Sequence, residues 1–342
     1  MFFLESLLEG IETLWIDPKM IIMWIISFIL LYFGIAKKKE PLLLIPISFG
    51  ILLANLPLGE LIKEGSQGES PGILLFFQKY GLETDLLPLL VFLGLGALTD
   101  FSPAISNPKT LILGAGAQAG VFIAMIGALL LGLTPFFNFG LLEASSIGII
   151  GGADGPTTIF ISTRMREIGH SLPNVDVRDI VGATAVAAYS YMALVPIIQP
   201  PIIKLLTTKS ERRIKMEYSS TEVSKRAKIL FPIICTVIIS VLVPKASPLV
   251  GVMMFGNLLK ESGVVPRLSN TAQNELMNIV IIILGLAVGG TMPGSVFLKL
   301  ETIAIFILGL VAFAAATVAG ILLAKIMNLL FKEKINPMIG AA

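Results

Sequence analysis

Charge is scarce in this sequence, and so are the residues that most soluble chemistry needs. Asp, Glu, Lys and Arg together make up 14% of 342 residues, with one histidine and one cysteine. A single cysteine, Cys235 in the apolar run 231–243, excludes an intrachain disulfide and a thiolate metal set, and reads as a small buried hydrophobe. The single histidine, His170, excludes a His-pair metal motif and reads as a solvated side chain in a polar stretch. A P-loop, a Gly-x-Gly-x-x-Gly nucleotide turn and the Met-Lys-Met of a biotinylated domain are all missing. The net charge is only +2 and its basic residues sit in short clusters between apolar runs, which gives nucleic acid no binding face. An energy source has to come from a partner or a gradient.

What is present is apolar. Hydrophobic residues make up 55% and the mean hydropathy is +0.89, the composition of a chain dissolved in a bilayer. Gly 32 and Pro 20 are high for such a chain and predict broken helices, since membrane helices tolerate both where neighbours satisfy the freed backbone. Measured against the ~20 residues that span a bilayer, the apolar runs are 20–36, 41–56, 86–98, 111–133, 181–206, 229–243, 279–288 with its flanks, and 303–330. Run 247–259 is short, and run 141–161 is interrupted by glycines. Residues 1–18 lack the basic start of a secretory signal and carry Glu5, Glu9 and Glu12 on an amphipathic pattern, predicting an uncleaved interfacial helix with Trp15 at headgroup level.

Short loops rich in Lys and Arg stay cytoplasmic. The clusters here are Lys37–Lys39, the stretch 204–228, and Lys332 with Lys334. Placing all three on one side requires 141–161 to enter and leave on the other side, as a re-entrant segment. Arg164, Arg166 and Arg178 then fall outside, on a polar loop expected to run from Thr163 to Asp179. A second Gly/Pro-containing segment, starting at Ile335, enters from the opposite side and is expected to continue past Ala342. Two interrupted segments entering from opposite faces point to an inverted-repeat transporter, with its ion site near the midplane. The chain thus reads as an all-α integral membrane protein, a polytopic helical bundle. Its blocks are 1–18, 19–140, 141–206 with the re-entrant motif and a tyrosine-pair helix, a basic cytoplasmic loop 207–228, and 229–342.

The most specific stretch is GIIGGADGPTTIF, residues 148–160. Asp154 is flanked by Gly151, Gly152, Gly155 and Pro156, where helical hydrogen bonding must fail and carbonyls turn inward. An ionisable group at membrane depth is a functional candidate, and a carboxylate among freed carbonyls suits Na⁺ or a proton. The bland reading is that Asp154 caps a half-helix. Tyr189 and Tyr191 interrupt another apolar run away from either interface. Each phenol suits coordinating a cation, donating a proton or simply packing across helices. Asn257, in the short run, reads equally as a helix bridge and as a cavity lining. Asp100 reads as a helix end at the cytoplasmic face.

Residues 148–160, Tyr189 to Pro201, the Phe255-Gly256-Asn257 turn with residues 267–278, and Asn336-Pro337-Met338-Ile339-Gly340 occur in this order. Together they resemble the membrane β subunit of the Na⁺-pumping, biotin-dependent decarboxylases of oxaloacetate, glutaconyl-CoA, methylmalonyl-CoA and malonate. The resemblance implies that a soluble carboxyltransferase loads CO₂ onto biotin and that a biotin-carrier subunit presents carboxybiotin from the cytoplasm. Its decarboxylation consumes a proton and is coupled to Na⁺ export. The implied catalytic groups are Asp154, Tyr189 and Tyr191, and the implied Na⁺ ligands are Asp154, Tyr189 and Asn336. Asn336, Gly340 and Asn257 are the candidates on the carboxybiotin side. The resemblance also implies a small single-span membrane partner, a homo-oligomer, a cell inner (plasma) membrane location, and further polar ligands after Gly340. The competing readings are a Na⁺-coupled carrier of an organic anion that breaks no bond, and a non-catalytic scaffold.

Overall fold

The computed structural model describes residues 9–10, 12–65, 70–108, 111–152, 154–173, 178–216, 223–331 and 334–341, with only the backbone of 192–197. Among the described residues every regular element is helical. In chain order those of eight residues or more are α1 (Lys19–Ile35), α2 (Pro41–Ala54), α3 (Ile73–Leu82), α4 (Leu86–Leu98), α5 (Leu111–Gly132) and α6 (Leu141–Gly148). The second half holds α7 (Gly155–Ser171), α8 (Val181–Leu206), α9 (Lys225–Leu242), α10 (Ser247–Ser262), α11 (Pro266–Gly290) and α12 (Leu300–Leu330). Among the described residues α5, α11 and α12 are long and apolar enough to cross a membrane, and α3 with α4, bent by 64°, form a fourth candidate. Helices α1 and α2 and the segment Leu141–Gly152 are shorter and apolar. Residues 12–16 are helical and end in the exposed Trp15 and Ile16, whereas residues 1–8 of the expected interfacial helix lie outside the described set.

Apolar side chains face outward as readily as inward. Ile25, Phe28 and Ile29 of α1, Val237, Ile238 and Val241 of α9, and Ile303, Ile307 and Val311 of α12 are exposed. In water so large a patch would drive aggregation; in lipid it is the solvent-facing surface. Lipid tails are as apolar as leucine, so helix association rests on close packing, and small residues mark the contacts. A Cβ on Gly50 of α2 would lie 2.7 Å from the Leu286 carbonyl oxygen of α11.

Hydrogen bonds fix which helix ends share a face. After α2, Asn55 Nδ2 donates to the Met292 carbonyl at 3.0 Å and its Oδ1 accepts Gly294 N–H at 2.8 Å, beside Lys19 at the start of α1. Gly182 of α8 packs on Thr291, Arg178 N–H donates to Glu143 of α6 at 3.1 Å, and Arg178 pairs with Glu301 of α12. These ends form one face, called here the clasp face. Lys37–Lys39, at the far end of α1, therefore lie on the opposite face. There Lys325 meets Glu211 at 3.0 Å, and Lys260 Nζ donates to the last carbonyls of α4, those of Leu98 and Thr99, at 3.0 and 3.1 Å. The described parts of the Lys/Arg clusters thus share one basic face, while Lys332 lies outside the described residues.

Two sequence expectations are corrected, for the 163–179 loop and for Cys235. The expected loop from Thr163 to Asp179 is helix as far as Ser171. Its arginines and acids looked like solvated loop, but Arg164 pairs with Glu167 one turn on at 2.9 Å and with Asp85 before α4 at 2.7 Å. The polar stretch 267–274 forms the first turns of α11, which continues through a π turn at Ala272–Leu276. Cys235 is half-buried on the outward-facing α9 rather than buried.

Candidate functional site

The first broken segment is a hairpin. It runs through α6, a 3₁₀ turn at Ile149–Gly152, Asp154 and α7. Both of its ends lie on the clasp face: Glu143 accepts Arg178 N–H, and Arg166 meets Asp179 at 2.7 Å. Going inward, α7 runs antiparallel to α8, with Ser162 Oγ 2.9 Å from Thr184 Oγ1 and Gly155 under the Tyr189 ring. The tip fits because it is glycine. A Cβ on Gly151 would sit 2.6 Å from the Gly120 carbonyl carbon of α5, and one on Gly155 would overlap the Tyr189 ring. Ile150 reaches α12 at Gly309, where the Tyr191 ring also packs.

Asp154 stands at the N-cap of α7 with extended backbone, and Pro156 follows in the first helical turn, where its missing N–H costs nothing. Its carboxylate accepts the Thr157 hydroxyl, and its carbonyl accepts the Thr158 hydroxyl at 2.8 Å. Tyr189 is fully buried, and its hydroxyl is without a hydrogen-bond partner among the described residues. Such a group carries a desolvation penalty of about 1–3 kcal/mol until something binds it. The Tyr191 hydroxyl, by contrast, donates to the Phe306 carbonyl of α12. Asp154 and Tyr189 therefore share the tip, while Tyr191 fastens α8 to α12 beside it.

The second broken segment follows α12 and turns back along it. Asn328 Nδ2 donates to the Ile335 carbonyl and its Oδ1 accepts Ile335 N–H, both at 2.7 Å. Gly340 lies against Gly320, so closely that a Cβ on either would overlap the other's carbonyl. Gln199 of α8 donates to the Ala341 carbonyl. The two segments thus approach α12 from opposite faces, reaching Gly309 and Gly320, a helical rise of about 16 Å apart.

Among the described residues the remaining candidates are not joined to the tip by any hydrogen bond. Asn336 Nδ2 donates to the Arg212 and Ile214 carbonyls at 3.1 Å, and its Oδ1 accepts Met338 N–H at 3.1 Å. Asn257 is buried between α10 and α4, donating to the carbonyls of Gly96 at 3.2 Å and Thr99 at 2.9 Å. Of its two sequence readings, the geometry in hand is that of a helix bridge.

Residues 19–342 match the family described as the Na⁺-transporting oxaloacetate decarboxylase beta subunit. The chain belongs to this family. It is 50% identical to the methylmalonyl-CoA decarboxylase subunit beta of Propionigenium modestum, over 94% of this chain and 82% of the relative. Identity to the oxaloacetate decarboxylase beta chain 2 of Salmonella typhimurium is 44%, over 99% and 87%. To the glutaconyl-CoA decarboxylase subunit beta of Acidaminococcus fermentans it is 49%, over 94% and 79%. Members of one family thus serve at least three differently named decarboxylases.

Sequence reasoning missed Thr157, Thr158, Ser162 and Thr184, whose hydroxyls surround the tip and the α7–α8 contact. A signal was there to find. Asp154, Thr158, Ser162 and Arg166 recur every four residues, which puts them on one side of a helix.

Proposed function

We propose that this protein is the membrane subunit in which carboxybiotin loses CO₂ while Na⁺ is exported, with Asp154 as the cation and proton site. Family membership supports this over a carrier that breaks no bond. The observation that carries the site is one carboxylate on a broken helix end, sharing its tip with a buried tyrosine hydroxyl that lacks a partner.

In the reaction the bond from the ureido nitrogen to the carboxyl carbon breaks, CO₂ departs, and the nitrogen keeps the electron pair and takes a proton. This chain's residues hold and time the charges. Na⁺ beside the Asp154 carboxylate balances the approaching anion in a low-dielectric setting. A proton arriving at Asp154 weakens the hold on Na⁺, so coupling is competition at one carboxylate. Thr157 orients that carboxylate, and Tyr189 is placed to donate to, or ligate through oxygen, whatever occupies the tip. Tyr191 positions α8. Gly340 allows close backbone approach from the other side, and Asn336 completes the cation's oxygens once its amide leaves the 212–214 backbone.

The relatives' names as beta subunits support a multi-subunit enzyme, here with carboxyltransferase and biotin-carrier subunits, a small single-span membrane partner and further copies of this chain. The basic face, set at the cytoplasmic side of the inner membrane, receives the carrier.

The test is CO₂ release from carboxybiotin by the purified complex, with and without Na⁺. Wild type should be Na⁺-stimulated and Asp154→Asn should lose the stimulation. A wild-type complex that binds Na⁺ yet releases no CO₂ would overturn the decarboxylase reading.

A further inference from the structure

The contact between α7 and α8 is polar midway along it, where Ser162 meets Thr184, and Gly155 lies under the Tyr189 ring at the tip. Thr158, Ser162 and Thr184 are all buried within it. A hydroxyl has one hydrogen and two acceptor lone pairs. Thr158 directs its hydrogen to the Asp154 carbonyl at 2.8 Å, and Thr184 directs its own to the carbonyls of Ile180 and Val181, both at 3.0 Å. Ser162 is then the donor in the 2.9 Å pair with Thr184. The hydrogens of these three hydroxyls are thus each aimed at a protein oxygen, and what they leave free toward the seam is lone pairs. A small hard cation would find the Thr158 and Ser162 oxygens at about 6 Å steps along α7, with Thr184 facing the second of them.

Both ends of this track carry carboxylates. At the inner end stand the Asp154 carboxylate and the partnerless Tyr189 hydroxyl. At the outer end Arg166 bridges Asp179 at 2.7 Å and Glu83 at 3.0 Å, tying α7 to the starts of α8 and α4. Beyond this clasp opens a cavity of about 280 Å³ whose charged and hydroxyl lining is Arg178, Asp179, Thr291, Lys299, Glu301 and Thr302.

We propose that the α7–α8 seam is the route by which the cation leaves the Asp154 tip for the clasp face, with Ser162 and Thr184 as an intermediate oxygen site. The seam is shut in this structure, so passage requires α7 and α8 to part. Arg166 holds the outer end closed, and its release from Asp179 and Glu83 both opens the seam and frees two carboxylates to draw the cation out. The proposal rests on the reading of Asp154 as the cation site, and it adds a direction of travel and the residues that line it.

The test is thiol labelling of Ser162→Cys and of Thr184→Cys in a Cys235→Ser background, in the full complex in membranes. Cationic and anionic methanethiosulfonate reagents of similar size are added from the clasp face. The cationic reagent should label at least about ten-fold faster, the effect of losing or gaining one charge-assisted contact. Na⁺ should slow the labelling, and Arg166→Gln should speed it. Hydroxyls that only pack the helices together would show neither charge preference nor Na⁺ protection, and that result overturns the proposal. So does an absence of labelling at both positions with Arg166→Gln present. Labelling needs no CO₂ release, so a complex that shows charge-selective, Na⁺-protected labelling but no Na⁺-dependent decarboxylation keeps the seam and loses the decarboxylase reading.

Discussion

The two broken segments lean on the same helices, α5, α8 and α12, yet they are held by different chemistry. The first is anchored at its mouth by charge, through Arg166 with Asp179 and Glu83, Arg164 with Asp85, and Glu143 with Arg178 N–H. The second is anchored by neutral amides, with Asn328 closing its turn, Gln199 on Ala341 and Asn336 on the 212–214 backbone. A carboxylate at membrane depth needs its surroundings fixed, because each misplaced partner leaves a charge unsolvated. Amide contacts are weaker and easier to exchange, at about 0.6–2 kcal/mol each in membranes. The first segment is built to hold a charge, the second to yield.

Substitutions that strike each segment alone test this contrast. The largest effect is expected at the first tip: Gly155→Ala puts a Cβ into the Tyr189 ring, and Na⁺-stimulated CO₂ release should fall by at least about ten-fold, as overpacking by 1–3 kcal/mol implies. The matching change in the second segment, Gly320→Ala, overlaps the Gly340 carbonyl but meets a segment held by amides alone. It should lower the thermal midpoint of the complex while keeping measurable Na⁺ stimulation; equal loss in both variants would erase the distinction.

Smaller effects are expected at the anchors. Arg166→Gln leaves Asp179 and Glu83 without their shared cation, and should raise passive ²²Na⁺ flux through vesicles carrying the complex. Asn336→Ala removes two donors from the 212–214 backbone, and should speed proteolysis of the basic loop by several-fold, in line with losing about 1 kcal/mol. An unchanged loop would mean that the second segment is held elsewhere.

The smallest effect is a pH effect on the basic face. Glu211 is held below its ordinary value of 4.5, first by the Thr208 backbone N–H and then by Lys325. A carboxylate lowered on folding stabilises above its unfolded value, and the contribution fades as pH falls through the lowered one. Glu211→Gln should therefore lower the thermal midpoint slightly at neutral pH, and the gap to wild type should close below pH 4.5. A gap that widens in acid would contradict the assignment.

Part of the candidate site's geometry was legible in residues. Asp154 stood out because a charge among glycines and a proline in an apolar run has few structural uses, and the fold does place it at a helix break. The Lys and Arg clusters foretold their common face. Less was legible where polarity is local but its partner is distant. Arg164 and Arg166 read as loop because Asp85, Glu83 and Asp179 come from other elements. Residues 73–82 were not read as part of a bent pair, and the apolar run at 279–288 did not show how far back toward Pro266 its helix begins.

The sequence by itself determined that this chain lives in lipid, that its helices break at Asp154, and that its basic clusters gather on one face, because hydropathy, missing N–H groups and glycine freedom act within a few residues. Only the tertiary structure decided that Tyr189 shares the Asp154 tip while Tyr191 fastens α12, that Asn257 and Asn336 bond elsewhere, and that the Ser162 and Thr184 hydroxyls meet between α7 and α8. Those outcomes depend on which helix supplies the facing oxygen, and hydrogen bonds between elements distant in the chain leave no periodicity to read.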